Sequence, residues 1–150
     1  MRTVIQRVSK ASVTINNKIE GEIDAGFMVL LGIEENDSND DIDWLVNKIS
    51  HLRIFSDENN KMNLSIKDIQ GDFLVISQFT LFASTKKGNR PSYLRSAKPE
   101  IAIPLYEQFL QKLTHISNRK VEKGIFGADM KVALVNDGPV TILIDSHNKE

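Results

Sequence analysis

Two short polar stretches interrupt parts of the chain that otherwise have the composition of buried strands. Ser77-Gln78-Phe79-Thr80 ends the apolar run from Phe73 to Ile76. Asn136-Asp137-Gly138-Pro139 separates the apolar runs Val132 to Val135 and Val140 to Ile144. Polar groups and a Gly-Pro pair at such places mark a functional site or a tight turn.

The first stretch offers two hydroxyls, an amide and backbone N–H groups, which suit the chemistry of a carbonyl group. Backbone N–H groups around Phe79 and Thr80 could stabilise a developing oxyanion, and this is the interpretation we favour. Thr80 could instead act as a nucleophile, but that needs an activating base, and none is visible nearby in the sequence. A third interpretation is that Gln78 and Thr80 are ordinary outward-facing strand residues.

Gly138-Pro139 lies between two runs with strand character, where proline costs a hydrogen bond of the ladder unless it occupies a turn or an edge. Taken alone, the pair predicts a plain trans turn, because only about 5–6% of X-Pro bonds in folded proteins are cis.

Charge is distributed unevenly, although the net charge is only −1. No Asp or Glu occurs from Phe73 to Pro99, and five basic residues lie within that range: Lys86, Lys87, Arg90, Arg95 and Lys98. Such a segment beside a candidate site indicates a polyanionic ligand, although a solvated loop would have the same composition.

Phe126 lies in the Gly-rich stretch Gly124-Ile125-Phe126-Gly127. A ring flanked by glycines could stack on a nucleic-acid base. It could equally be a core aromatic at the end of a strand.

Length and composition predict one domain spanning residues 1–150, with a flexible tail from about residue 146. The 150 residues, 41% of them hydrophobic, suffice for a single core. The absence of cysteine removes disulfides and thiolate chemistry and is compatible with a reducing cytosol. The longest apolar run, Phe27 to Leu31, is too short to cross a bilayer, and the first residues lack a signal-peptide core. We therefore expect a soluble cytoplasmic protein.

Several familiar catalytic and cofactor sites lack support in the sequence. The histidines at positions 51, 115 and 147 do not have the paired spacing of a metal site, and no Walker loop or dinucleotide fingerprint is present. No metal and no cofactor are therefore expected. A Ser-His-Asp arrangement stays open, because triads are assembled in space, but the chain has no Gly-x-Ser-x-Gly elbow.

Periodicity predicts about seven strands and two helices. The strands are expected over 3–15 with a bulge near Ser9-Lys10, over 18–23 and 26–33 after a turn at Asn16-Asn17, over 53–55 and 73–82, and over the two final apolar runs. The helices are expected after a cap at Ser38 and between Pro99 and Ser117. Strands in hairpin-like succession favour an α+β fold, a mixed, largely antiparallel sheet or barrel with the helices packed outside.

Four motifs, in this order, closely resemble D-aminoacyl-tRNA deacylases over Met1 to about Ser146. They are Ser77 to Thr80, Lys86 to Ser92, Gly124 to Met130 and Asn136 to Thr141. The resemblance implies a β-barrel-like core, a homodimer and hydrolysis of the ester between a D-amino acid and the 3′-terminal adenosine of tRNA, with glycyl-tRNA as a further possible substrate.

The resemblance also implies roles for individual residues. It makes Gly138-Pro139 a cis pair that enters the partner subunit's active site and rejects L-amino acids. It places the catalytic site at Ser77, Gln78, Phe79 and Thr80. It favours contact between Phe126 and the adenine of the terminal adenosine, with Met130 lining the same pocket. Independently of the resemblance, the charges of Lys86, Lys87 and Arg90 could neutralise phosphates close to the 3′ end of the tRNA. The competing hypothesis is a non-catalytic RNA-binding or assembly module, and a third is a dimeric scaffold whose Gly-Pro turn is only structural.

Overall fold

The structure, a computed structural model, describes residues 1–149. Over these residues the chain forms eight strands, two α-helices and one short 3-10 turn. The elements are β1 (Arg2–Ile15), β2 (Lys18–Ile23), β3 (Gly26–Gly32), α1 (Asn39–Ser50), β4 (Arg53–Ser56), β5 (Met62–Ser65), β6 (Asp72–Ser77), the 3-10 turn (Phe79–Phe82), α2 (Pro99–Ser117), β7 (Val121–Lys123) and β8 (Lys131–Asp145).

The long strand β1 organises a mixed six-stranded sheet. One edge of β1 pairs antiparallel with β8 along its length, and the other pairs with β3 in its first half and β2 in its second. The sheet continues through parallel pairs from β3 to β6 and from β6 to β7. Gly21 of β2 then lies so close to β7 that a Cβ there would be 3.1 Å from the Lys123 carbonyl oxygen. The sheet is therefore a nearly closed barrel, which confirms the predicted fold class.

Strands β3 and β6 are buried on both faces, because alternate side chains enter two different cores. Phe27, Val29 and Phe73 point toward the helices, whereas Met28 and Leu74 fill the barrel interior. This explains why the sequence of these strands is continuously apolar rather than alternating.

Both helices confirm the sequence prediction. In α1 the Ser38 N–H donates to the Asp41 carboxylate, which caps the helix start. In α2 Pro99 occupies the first turn, where a missing N–H is harmless, and Pro104 is accommodated within the helix. Neither helix is long and apolar enough to span a membrane, nor is any other described helix.

Two predicted strand boundaries were wrong. The strand expected over 73–82 ends at Ser77, because its partner β3 ends at Gly32 and the chain then folds into the Phe79–Phe82 turn. The two strands expected near the end are one strand, β8, in which Asn136 and Thr141 pair with Val8 and Gln6 of β1. Residues 137–140 bulge out of that ladder, so the Gly-Pro interrupts a strand instead of joining two.

The end of β8 is tied to the start of β1. Ser146 Oγ accepts a hydrogen bond from the Met1 amino group at 2.7 Å, and His147 Nε2 lies 2.8 Å from Asp37 Oδ1. These contacts hold the first two residues of the predicted tail, and the flexibility of the tail stays a prediction.

Asp145 and Arg2 form a partly buried ion pair with a defined pH signature. Burial opposes ionisation of Asp145, but hydrogen bonds from the Arg2 guanidinium and the His147 N–H outweigh it and hold its pKa below the usual value. A depressed pKa stabilises the fold above the unfolded-state pKa of about 3.9, and that stabilisation is lost as the pH falls through the lower folded-state value.

We expect Asp145→Asn to lower the free energy of unfolding by about 1–3 kcal/mol at pH 7, with the difference from wild type shrinking toward pH 3. Urea unfolding at both pH values measures it. Asp129→Asn is the control, because its pair with Lys131 is 85% exposed at the carboxylate and 74% at the amine and should contribute little. An Asp145→Asn deficit of equal size at pH 3 and pH 7 would contradict the prediction.

Candidate active site

A pocket of about 290 Å³ opens at the carboxyl ends of the parallel strands β3 and β6. Ser77, Gln78 and Phe79 line one side of it. Phe126 and Met130, from the segment between β7 and β8, line the other side. The fold thus brings together residues of two separate sequence motifs, and Leu31 and Ile76 add apolar surface.

A larger cleft of about 610 Å³ lies at the opposite end of these strands. Its lining mixes Lys10 and Lys120 with Glu22, Asp24 and Asp72, and it includes none of the predicted site residues. The smaller pocket is therefore the candidate active site.

The Phe79–Phe82 turn leaves two backbone donors outside its hydrogen bonds. The Gln78 N–H still donates to the Leu31 carbonyl of β3 at 2.8 Å, and the first bond of the turn runs from the Leu81 N–H to the Gln78 carbonyl at 3.3 Å. The N–H groups of Phe79 and Thr80 lie between these two bonds, and no described side chain caps the turn. A pair of adjacent, fixed N–H donors suits the binding of an oxyanion.

Thr80 has an amide neighbour and does not line the pocket. Its Oγ1 lies 2.5 Å from Gln78 Nε2. Neither the nitrogen nor the oxygen of the Gln78 amide can act as a general base. This neighbour therefore does not activate the hydroxyl as a nucleophile.

Phe126 is half-buried and packs edge-on against Tyr106, with ring centroids 6.0 Å apart. Tyr106 is buried, and its hydroxyl donates to the Val75 carbonyl at 2.9 Å. Burial raises the pKa of Tyr106 well above its usual value, so the tyrosine stays a neutral support. Phe126 therefore contacts the core and also lines the pocket, and its stacking on a base stays a prediction.

Gly124 makes room for the Met130 side chain. A Cβ on Gly124 would lie 2.3 Å from Met130 Sδ, so only glycine leaves the thioether in its present place at the pocket wall.

The basic residues Lys86, Lys87 and Arg90 lie on an exposed loop that follows the turn. Ser84 and Ser92 close this loop through two backbone hydrogen bonds of 2.8 and 2.9 Å. None of the three cations forms an ion pair with another residue in the part of the chain that the structure describes, so their charges face solvent.

Gly138 and Pro139 are exposed on the bulge of β8 and do not line the pocket of their own chain. The peptide bond between them is cis, and Gly138 has a φ of +136°. The bulge is held from both sides: the Val140 N–H donates to Asn136 Oδ1 at 3.0 Å, and Arg7 Nε donates to the Asp137 carbonyl at 2.9 Å.

Two arginines support the site, and the sequence prediction did not include either. Arg7 is 8% exposed and also donates to the Ile54 carbonyl at 2.6 Å, which fixes it beneath Gly138. Arg2 donates to the Leu81 carbonyl at 2.9 Å, and its guanidinium lies 4.9 Å from the Phe82 ring centroid, so it holds the turn from behind. No local pattern in the sequence indicated either arginine, because the burial of Arg7 within β1 is visible only in the structure.

Glu34, Asp37 and His147 bring potential metal-ligand atoms within 4.8 Å of one another. Asp37 already accepts the Met1 ammonium group, and Glu34 pairs with Arg95 at 3.1 Å. These cations occupy the acidic groups, so the cluster is better explained as a structural link between the chain start and the 34–37 segment.

A family model and the sequences of curated proteins both match this chain, and both concern D-aminoacyl-tRNA deacylases. The model of the D-Tyr-tRNA(Tyr) deacylase family matches residues 4–145. Proteins named D-aminoacyl-tRNA deacylase from Bacteroides fragilis and Flavobacterium psychrophilum are 64% and 62% identical over 150 residues, which is the whole of both chains in each case.

Two solved structures are also similar to this chain in three dimensions. A structure titled c-Myc DNA Unwinding Element Binding Protein matches with a TM-score of 0.90 and 39% identity, covering 97% of this chain and 98% of the other. A probable eukaryotic D-amino acid tRNA deacylase matches with a TM-score of 0.82 and 17% identity, covering 95% and 97%, and shares the fold.

Proposed function

The chain belongs to the D-Tyr-tRNA(Tyr) deacylase family, and on that premise we propose that it hydrolyses the ester between a D-amino acid and the 3′-terminal adenosine of tRNA while sparing the L-aminoacyl ester. The observation that carries this proposal is the single pocket where Ser77, Gln78 and Phe79 face Phe126 and Met130. One side supplies donors for an ester carbonyl, and the other supplies an aromatic and a thioether surface for a base.

The proposed reaction needs positioning more than a strong protein nucleophile, because an aminoacyl ester is already activated. The Phe79 and Thr80 N–H groups receive the carbonyl oxygen as it gains charge. Water adds to the carbonyl carbon with help from the 2′-hydroxyl of the terminal ribose. The ester C–O bond then breaks, and the 3′-oxygen leaves with a proton.

Thr80→Ala separates this mechanism from an acyl-enzyme route. We expect the variant to retain most of its kcat, because Thr80 Oγ1 contacts an amide and no base, and because alanine keeps the backbone N–H. Single-turnover hydrolysis of D-tyrosyl-tRNA measures the effect. Loss of all turnover in a folded Thr80→Ala protein would establish Thr80 as the nucleophile instead.

We propose that the active form is a homodimer in which Gly138 and Pro139 enter the pocket of the partner. Their exposure and their absence from the pocket lining of their own chain support this proposal. Strand β8 pairs only with β1 among the described strands and exposes Val135 and Leu143, which are 46% and 61% accessible. An open strand edge with exposed apolar side chains suits a subunit interface.

The Gly138-Pro139 backbone suits chiral selection, because backbone atoms can obstruct one face of the stereocentre without binding a particular side chain. One pocket could then accept many D-amino acids. Glycine has no side chain to obstruct, so glycyl-tRNA is a further proposed substrate.

The exposed cations Lys86, Lys87 and Arg90 would neutralise phosphates near the 3′ end of the tRNA. The proposed location is the cytoplasm, where charged tRNA is used. A non-catalytic RNA-binding module would also explain a basic loop, but it would not explain the two adjacent N–H donors of Phe79 and Thr80 in a turn whose first residue lines the pocket.

The decisive experiment compares release of tyrosine from D-tyrosyl-tRNA and L-tyrosyl-tRNA by the purified protein. We expect rapid cleavage of the D-ester and none of the L-ester above the spontaneous rate. Salt-dependent binding of tRNA without cleavage of either ester would overturn the enzyme proposal and favour the binding module.

A further inference from the structure

The carbonyl oxygen of Phe79 is held by a side chain from outside its own turn. Ser96 Oγ donates to this oxygen at 2.8 Å. The peptide unit is planar, and in its trans form the N–H points opposite to the C=O. Holding the Phe79 carbonyl therefore fixes the direction of the Thr80 N–H, one of the two proposed oxyanion donors.

A second contact restrains Phe79 through its ring. The Tyr93 ring lies edge-on to it, with centroids 5.0 Å apart and an interplanar angle of 74°. Phe79 is 55% exposed and Tyr93 is 39% exposed, so this pair adds little to the core. Its effect is local, because it restricts the residue whose backbone forms the turn.

The segment that carries Tyr93 and Ser96 is itself anchored to the barrel. The Ala97 N–H donates to the Ile33 carbonyl at 2.9 Å, just beyond β3. Arg95 pairs with Glu34 at 3.1 Å and lies 5.2 Å from the Phe82 ring centroid. The contacts of Ala97 and Glu34 join the segment to the barrel, so the positions of Ser96 and Tyr93 do not depend on the turn alone.

We infer that Ser96 and Tyr93 are positioning residues that hold the Phe79–Thr80 peptide in the orientation needed to bind the oxyanion. This inference rests on the proposed deacylase function. Tyr93 and Ser96, which follow the basic loop, would thus contribute to kcat independently of any contact between that loop and tRNA.

The test uses two substrates, D-tyrosyl-tRNA and the short ester 3′-O-D-tyrosyl-adenosine, which lacks the tRNA phosphates. We expect Ser96→Ala to lower kcat by about 3- to 10-fold on both substrates, the usual effect of one lost hydrogen bond, with KM unchanged. Ser96→Thr restores a hydroxyl and should recover most of the loss. Tyr93→Leu should lower kcat in the same way, whereas Tyr93→Phe keeps the ring and should not.

The double variant Lys86→Ala/Lys87→Ala is the comparison for a role in RNA contact. It should raise KM for the tRNA, in contrast to the kcat effect expected for Ser96→Ala. Thr85→Ala, on the same exposed loop, controls for general effects of substitution there. Thermal unfolding verifies that each variant is folded, and Tyr93→Leu provides a second test of the inference if Ser96→Ala unfolds.

Unchanged kcat in folded Ser96→Ala and Tyr93→Leu would overturn the inference, as would a change confined to KM or to the tRNA substrate. Failure of the deacylase proposal is distinguishable from these results, because wild type would then cleave neither ester.

Discussion

Replacing Phe79 with proline is expected to lower kcat for D-tyrosyl-tRNA by about 10²–10³-fold relative to Phe79→Ala. Both variants lose the ring, but only proline also lacks the backbone N–H. The ratio between them therefore isolates the donor that is proposed to bind the oxyanion. Single-turnover rates at saturating enzyme measure this ratio without interference from product release.

The backbone at this position can accept proline. Phe79 begins a helical turn, where a fixed φ near −65° is tolerated. Gln78 before it has φ −144° and ψ 85°, outside the helical region that proline disfavours in its predecessor. Similar unfolding midpoints for the two variants would verify the fold. Equal kcat values in folded variants would show that the Phe79 N–H does not take part.

The pattern of apolar residues predicts the strands and helices, because the burial of each position determines whether its residue is apolar. The unbroken apolar sequence of β3 reflects burial on two faces, and the spacing in α1 and α2 reflects one buried face each. The end of β6 was harder to predict, because Phe79 to Phe82 is as apolar as a strand. What ends the strand is the length of its neighbour β3, which is information from elsewhere in the chain.

Only part of the candidate site could be predicted, because much of it also depends on residues from elsewhere in the chain. Side chains with suitable chemistry, such as Gln78 and Phe126, can be recognised within their own segments. The supporting contacts join residues far apart in sequence: Arg7 reaches Asp137, Arg2 reaches Leu81 and Ser96 reaches Phe79. No local pattern contains such pairs, so only the three-dimensional arrangement reveals them.

Gly138→Ala is expected to reduce the preference for D- over L-tyrosyl-tRNA, as a ratio of kcat/KM values, by about 10²-fold, the usual cost of a 1 Å misplacement. Gly138 has a φ of +136°, which L side chains rarely adopt. A Cβ there would lie 2.8 Å from Val140 Cγ2 and 3.0 Å from Arg7 Nη2. Arg7 is held by the Ile54 carbonyl, so the bulge has to move instead.

Gly88→Ala is the matched control for this substitution. Gly88 has nearly the same φ, +137°, but no described atom beyond its chain neighbours lies within 4 Å of the position that a Cβ would take. We expect Gly88→Ala to keep the D/L ratio even if tRNA affinity changes. An unaltered ratio in a folded Gly138→Ala protein would exclude Gly138 from chiral selection.

Mixed dimers test whether Gly138 acts on the partner's pocket. In the proposed homodimer, a pair of one Phe79→Pro chain and one Gly138→Ala chain would contain one pocket with a native turn, and that pocket would face the native Gly138 of the partner subunit. If the glycine acts across the interface, co-refolded chains should regain D-selective cleavage that neither variant shows alone. If it acts within its own chain, each pocket of the mixed dimer still carries one defect, and mixing would restore nothing.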